Sequence, residues 1–164
     1  MSLVLTTFTL VHVVISLIGI LSGLVVASGF LTAKRLDGWA ATFLVSTVLT
    51  SVTGFLFPFH RLLPSHIVGL ISLLVLAVAI YARYGRKLDG AWRTTYVLAA
   101  MLALYFNMFV LVVQLFQKVP ALKAVAPTQT EPPFKVAQLA VLAFFVMLTI
   151  FAAVRFRKEP LRAA

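Results

Sequence analysis

Residues 12–27 read HVVISLIGILSGLVVA, and this stretch determines the class of fold. It lies within an uncharged run, residues 1–33, and a helix needs roughly 20 apolar residues to cross a bilayer. At 100° per residue, His12, Gly19 and Gly23 share one stripe of the predicted helix. The Gly19-x-x-x-Gly23 spacing allows close approach of a neighbouring helix. We therefore expect His12 to lie on the packed face, away from lipid.

The composition extends this conclusion to the whole chain. Hydrophobic residues make up 62% of the 164 residues, charged residues make up 11%, and the mean hydropathy is +1.08. A soluble domain has roughly 25% charged residues. We therefore predict an all-α integral membrane protein with a single transmembrane domain, residues 1–164, and five helices. The predicted spans are about 4–30, 39–57, 64–83, 94–117 and 135–155.

The basic residues indicate which ends of the predicted spans are cytoplasmic. Ten of the fourteen Lys and Arg residues fall in three segments, which alternate along the chain with the segments that hold the other four. Under the positive-inside rule, the N-terminus lies outside and the C-terminus inside, with an external loop at 118–134 and a basic tail at 155–164. The three basic segments contain Lys34 and Arg35; Arg83, Arg86, Lys87 and Arg93; and Arg155, Arg157, Lys158 and Arg162.

This distribution also explains the formal charge of +10. Basic segments beside membrane spans contact anionic lipid headgroups, so the expected partner is the bilayer and no nucleic-acid binding is expected. The external loop contains Pro120, Pro127, Pro132 and Pro133. So many prolines predict an extended segment without secondary structure of its own, either a plain connector or a lid over the outer end of the bundle.

Two stretches of the chain read alike, RLDGW at 35–39 and KLDGAW at 87–92. Each follows a histidine in an apolar run, His12 or His66, at nearly the same distance. The similarity predicts that the first four helices form two repeated hairpins, each with one intramembrane histidine. Asp-Gly is a turn-forming pair, so the two aspartates are assigned to structural turns and not to catalysis. The turn residues are Asp37, Gly38, Asp89 and Gly90.

Polar side chains of the predicted spans gather in the outer half of the membrane. With the orientation given above, His12, His66, Asn107 and Gln114 all fall there. A polar group in hydrocarbon costs several kcal/mol unless it has a partner. These four residues therefore either bond one another or hold a ligand, and they are the candidate cofactor-binding residues.

Three ligands suit this set of side chains. Axial ligation of b-type haem uses two imidazoles from different helices, here His12 and His66. A quinone would bond a histidine, Asn107 or Gln114 and pack on phenylalanine rings. A non-haem metal ion would take nitrogens from His12, His66 and His60. Alternatively, the two intramembrane histidines hold helices together through hydrogen bonds, and His60 is interfacial.

The motifs of common enzymes do not occur in the sequence. It lacks Gly-x-Ser-x-Gly, His-Glu-x-x-His and cysteine, so we expect no independent catalytic activity. Electron transfer through haem or quinone is one hypothesis for function. A non-catalytic accessory or assembly subunit of a larger membrane complex, or of a homo-oligomer, is the alternative. A small carrier is a third, although no span holds the carboxylate typical of proton-coupled carriers.

Several short motifs resemble those of a known group of proteins. They are Pro64-Ser65-His66, the Leu-Asp-Gly turns, Tyr105-Phe106-Asn107 with Gln114, and APTQTEPPF at 126–134. Together they resemble small uncharacterised bacterial inner-membrane proteins, over most of the chain. The resemblance implies a multi-pass protein of the bacterial cytoplasmic membrane, and it carries no assigned activity or functional residue.

Overall fold

The computed structural model describes residues 3–57, 64–158 and 162–163 of the chain. The fold is all-α, and 86% of the described residues are helical. The described helices are α1 (Leu3–Leu31), α2 (Asp37–Gly54), α3 (Pro64–Ile80), α4 (Ala91–Lys118), α5 (Pro120–Val125) and α6 (Pro132–Lys158). A π-helical turn, Tyr81–Gly85, follows α3 directly. Two short strands, β1 (Lys34–Arg35) and β2 (Arg162–Ala163), pair in parallel and bring the C-terminal segment to the connection between α1 and α2.

Proline and glycine set several helix boundaries. α3, α5 and α6 begin at Pro64, Pro120 and Pro132. Proline suits the first helical position because its missing N–H would have no intrahelical acceptor there. α4 follows Gly90, whose φ of +50° is unfavourable for residues with a Cβ. These helix boundaries therefore follow from the backbone preferences of proline and glycine.

Helices α1 to α4 form a bundle in which the chain order is also the order around the bundle. α1 packs on α2, α2 on α3, α3 on α4, and α4 back on α1, while α6 packs on α4 and α1. Large buried side chains from α1, α2 and α4, including Phe30, Phe43, Tyr96 and Leu104, lie in one core cluster. α4 packs on three of the long helices, α1, α3 and α6, whereas α2, α3 and α6 each pack on two.

Four helices of the described chain are long and apolar enough to cross a membrane, which is compatible with an integral membrane protein. The four segments are Thr6–Leu31, His66–Gly85, Ala91–Lys118 and Pro132–Phe156. α2, at the position of the second predicted span, is not among them. It has 18 residues and is rich in Ser and Thr, which lower its hydropathy although it carries no charge after its first residue. The prediction of all-α membrane-type helices is confirmed, whereas the fifth span is not confirmed.

The two predicted hairpins have connections with different backbones. Between α3 and α4 the chain makes the π-helical turn and then has positive φ at Lys87, Leu88 and Gly90. Between α1 and α2, Ala33 alone has positive φ. The two similar sequences therefore form turns with different backbones. The repeat of the hairpins is not confirmed and rests on the sequence similarity alone.

The prediction that the 118–134 loop has no secondary structure was wrong in part. Pro120–Val125 forms α5, because a proline at the first position is followed by Ala, Leu, Lys and Ala, which favour helix. Gln129 then donates a hydrogen bond from Nε2 to the carbonyl oxygen of Val113, at 2.8 Å. This bond holds the loop against α4.

Gly19 and Gly23 determine how closely α1 approaches its neighbours. A Cβ on Gly23 would lie 2.6 Å from Leu104 Cδ1 and 2.9 Å from the ring of Phe43. A Cβ on Gly19 would lie 3.2 to 3.5 Å from polar side-chain atoms of α2 and α4. The close approach predicted from Gly19-x-x-x-Gly23 is therefore present, and it involves two helices at once.

We predict that Gly23→Ala destabilises the protein by about 1–3 kcal/mol, because the new methyl group overpacks a buried site. Gly38→Ala is the matched control, since a Cβ there would meet nothing within 4 Å. Thermal unfolding of the two purified variants in detergent measures the difference. Equal melting temperatures would contradict the assigned helix crossing.

Candidate functional site

The serines and threonines of α2 supply three of the buried polar residues of the bundle interior, Ser46, Thr47 and Ser51. We call Ser46, Thr47, Thr50, Ser51 and Thr53 the hydroxyl face of α2. Ser46 Oγ donates to the carbonyl oxygen of Thr42 at 2.6 Å, and Thr53 Oγ1 donates to that of Leu49 at 2.7 Å. Hydroxyls that donate within their own helix keep lone pairs free to accept bonds from other helices.

Three residues of this face bond to three different helices. The bonds join His12 Nδ1 of α1 to Thr53 Oγ1 at 2.8 Å, Asn107 Nδ2 of α4 to Thr47 Oγ1 at 3.2 Å, and Ser51 Oγ to Ser72 Oγ of α3 at 3.3 Å. The Asn107 bond reaches across the bundle interior. The hydroxyl face of α2 therefore links all four helices of the bundle.

The bond to Thr53 assigns the tautomer of His12. The single hydroxyl hydrogen of Thr53 is already donated to its own helix, so Thr53 Oγ1 accepts the hydrogen from His12 Nδ1. In the neutral imidazole the other nitrogen, Nε2, then carries a lone pair and no hydrogen. His12 is thus oriented through Nδ1, and its Nε2 has the chemistry of a hydrogen-bond acceptor or metal ligand.

His12 and His66 each pack on a phenylalanine that lies just beyond the end of α2. The ring of Phe57 lies edge-on to His12, with centroids 5.1 Å apart, and the ring of Phe55 lies 5.7 Å from that of His66. Phe55 also fills the space beside Gly69, where a Cβ would lie 3.2 Å from its ring. Phe55 thus occupies space beside His66 that the haem hypothesis needs for a porphyrin.

The other predicted site residues are dispersed. Asn107 is bonded to the hydroxyl face of α2, whereas Gln114, two turns further along α4, is exposed. His60 lies outside the described residues. Within the described part of the chain, no three His, Asp or Glu side chains are close enough together to hold a metal ion. The residues proposed from sequence therefore do not form one described cluster.

A groove of about 440 Å³ lies along the seam between α1 and α2. Its walls are mainly apolar and include Ile15 of α1 and Leu49 of α2. His12 lies one turn before Ile15 in α1, and Thr53 lies one turn after Leu49 in α2. Thr50 Oγ1, on the same stretch of α2, is buried and has no hydrogen-bond partner among the described residues. His12, Thr50 and Thr53 do not line the groove, which lies about one turn from His12 and Thr53.

An ion pair between a buried arginine and an exposed aspartate occupies the opposite end of the bundle. Arg83, in the π-helical turn, is only 5% exposed and forms an ion pair with Asp37, the first residue of α2. Asp37 also lies 3.5 Å from the guanidinium of Arg35. The Arg83 guanidinium lies 5.2 Å from the ring centroid of Tyr96, a cation–π distance. Asp37, assigned from sequence to a turn, therefore also neutralises a buried cation.

In the sequence, Arg83 served only to indicate which side of the membrane is cytoplasmic. A signal for its burial was present, because Arg83 continues the helical stripe of Leu76 and Ala79, both of which are fully buried. A charged residue in line with a core stripe indicates an internal partner.

The carboxylate of Glu131 organises the turn before α6. It accepts hydrogen bonds from the hydroxyl of Thr128 at 2.8 Å and from the backbone N–H groups of Thr128 and Thr130 at 3.2 and 3.0 Å. Desolvation acts to raise the pKa of Glu131, but these bonds outweigh it and hold the pKa below its ordinary value. The resulting negative charge precedes the N-terminus of α6, where it is favourable.

The fold and its interior bonds define a helical membrane-type bundle with a hydroxyl-lined centre. Comparison of the chain with protein-family models, with curated proteins and with solved structures finds no significant match. The function is therefore inferred from the residues of this chain.

We predict that Asp37→Asn destabilises the protein by about 1–3 kcal/mol, because it leaves the buried Arg83 without a counter-charge. Asp89→Asn is the matched control from the similar stretch, since Asp89 is exposed and forms no ion pair among the described residues. Unfolding of both variants in detergent measures the difference. A loss of stability as large in Asp89→Asn would contradict the role given to Asp37.

Proposed function

We propose that this protein is a non-catalytic integral-membrane component, an accessory or assembly subunit of a larger membrane complex. The observation that carries the proposal is that the polar residues of the interior are largely used to hold helices together. His12, Asn107 and Ser72 each bond the hydroxyl face of α2. Such bonds give a bundle a defined packing without any need for a ligand.

The proposal includes α2 as a fifth span. Val45, Leu49 and Val52 are exposed on one side of α2, while Thr47 and Ser51 are buried on the other. A helix that presents hydrocarbon outward and hydroxyls inward suits a position among other spans, even though its mean hydropathy is modest. A crossing by α2 agrees with an external N-terminus and a cytoplasmic C-terminus under the positive-inside rule.

The outer surface of α6 supports contact with another subunit. Only 17% of the most apolar 18-residue stretch of Pro132–Phe156 is buried, compared with 39% of the corresponding stretch of Ala91–Lys118. Phe144, Met147 and Phe151 are all more than half exposed, and they recur at helical spacing. Wide apolar faces with large aromatic side chains are suited to contact with another helix as well as with lipid.

We predict that α2 crosses the membrane with its start in the cytoplasm. The chain has no cysteine, so single-cysteine variants report position without interference. In intact cells, a membrane-impermeant maleimide should label Leu56→Cys, after α2, and should label Gly38→Cys, in its first turn, only after permeabilisation. Labelling of both variants from the same side would show that α2 does not cross.

We predict that the full chain, purified in a mild detergent, elutes with other membrane subunits and that Phe144→Ala/Phe151→Ala releases them. Leu70→Ala/Leu74→Ala on α3 is the matched control, since it also removes large exposed apolar groups. Size-exclusion chromatography with mass spectrometry of the complex measures the change. A stable monomer, or equal release by both double variants, would count against the proposal.

A second candidate function is binding of a hydroquinone for electron transfer. It is favoured by the geometry of the α1–α2 seam. His12 Nε2 can accept a hydrogen bond from a hydroquinone hydroxyl, the buried hydroxyl of Thr50 is unpartnered among the described residues, and the groove suits an isoprenoid chain. Phe55 fills the space beside Gly69 that haem would need, so a hydroquinone suits the observed packing better.

For this candidate, His12→Phe should weaken binding of a decyl hydroquinone about fivefold to tenfold, the loss of one hydrogen bond. His66→Phe should leave binding unchanged, and the oxidised quinone, which has no hydrogen to donate, should bind more weakly than the reduced form. Isothermal titration calorimetry measures the affinity of the two variants for the hydroquinone and of the wild type for the oxidised quinone. Equal affinity of wild type and His12→Phe would exclude the site.

A visible haem band lost in His12→Ala and His66→Ala but kept in His60→Ala would instead support haem.

A further inference from the structure

The three basic segments of the sequence come together at one end of the bundle. We call the ends of α1, the π-helical turn and α6, together with the starts of α2 and α4, the basic end. Contacts join these segments: Arg83 to Asp37, Phe30 to Phe156, and Arg93 over the ring of Phe156 with its Cζ 5.0 Å from the centroid. The three basic segments of the sequence therefore meet in space.

The acidic residues of the basic end neutralise only part of this charge. Asp37 serves both Arg35 and the buried Arg83. Lys34, Arg86 and Lys87 are exposed and form no ion pair among the described residues. The β1–β2 pairing also sets Lys34 opposite Arg162.

An aromatic platform holds one of these exposed cations. The guanidinium carbon of Arg86 lies 5.6 Å from the ring centroid of Trp92, and the ring of Tyr81 lies edge-on to Trp92 at 5.2 Å. Trp and Tyr are enriched at the depth of the lipid headgroups. A guanidinium stacked on an indole face keeps its N–H edge free to donate to a phosphate.

We propose that Arg86 and Lys87 bind the phosphate of an anionic phospholipid at the basic end. The planar guanidinium donates two parallel hydrogen bonds to phosphate oxygens, and the neighbouring ammonium adds a second positive charge. Leu74, Val78 and Tyr81 form an exposed apolar stripe that leads away from this site along α3. The stripe provides a path for an acyl chain, which favours a lipid over a soluble phosphate.

The test uses the full chain in detergent and counts bound lipids by native mass spectrometry, with phosphatidylglycerol and phosphatidylcholine as probes. Arg86→Gln/Lys87→Gln should reduce the preference for phosphatidylglycerol about fivefold for each cation removed. Lys118→Gln/Lys123→Gln removes two cations from the opposite end and is the matched control, which should keep the preference. The preference of the wild type should weaken as salt is raised.

Three results would overturn the proposal. They are an unchanged preference in Arg86→Gln/Lys87→Gln, an equal loss in the control variant, and displacement of the lipid by inorganic phosphate at constant ionic strength. The last result would assign the site to soluble phosphate compounds. Both altered side chains are exposed, so matching elution profiles of the variants and the wild type will establish that the fold is kept. The outcome does not depend on whether the protein belongs to a larger complex.

Discussion

The structure depends on one constraint, that hydroxyl groups within apolar helices need partners inside the chain. Hydrocarbon offers no hydrogen bonds, so an unpartnered polar group in it is costly. Three residues of the hydroxyl face of α2 meet this constraint by bonding His12, Asn107 and Ser72 on three other helices, whereas Thr50 Oγ1 has no partner among the described residues. Gly19 and Gly23 make the bonds geometrically possible because they let α1 approach α2 and α4 closely. The interhelical hydrogen bonds of this bundle therefore depend on the close helix packing at Gly19 and Gly23.

Much of the fold could be predicted from the sequence, because apolar length and small-residue spacing are local properties. The uncharged runs located the long helices, and Gly19 and Gly23 indicated the closely packed face of α1. The status of α2 was harder to predict, because its absence of charge and its low hydropathy point in opposite directions. Only the contacts of its hydroxyls show that its polar side faces other helices.

The candidate site was less predictable, because it depends on which side chains meet across helices. His12 was correctly placed on a packed face, but its bond to Thr53 and its contact with Phe57 involve residues more than forty positions away. Phe55 beside His66 likewise could not be foreseen from spacing alone. The burial of Arg83 was detectable in principle, since a core stripe runs into it, whereas its pairing with Asp37 depends on the tertiary fold.

The bonds of α2 have a consequence for how the chain assembles during synthesis. When α1 and α2 have emerged and α3 and α4 have not, Thr47 and Ser51 lack Asn107 and Ser72. The bonds of Ser51 and Thr47 to other helices are therefore absent from the first hairpin alone. The full set of interhelical bonds of α2 forms only after α3 and α4 have been made.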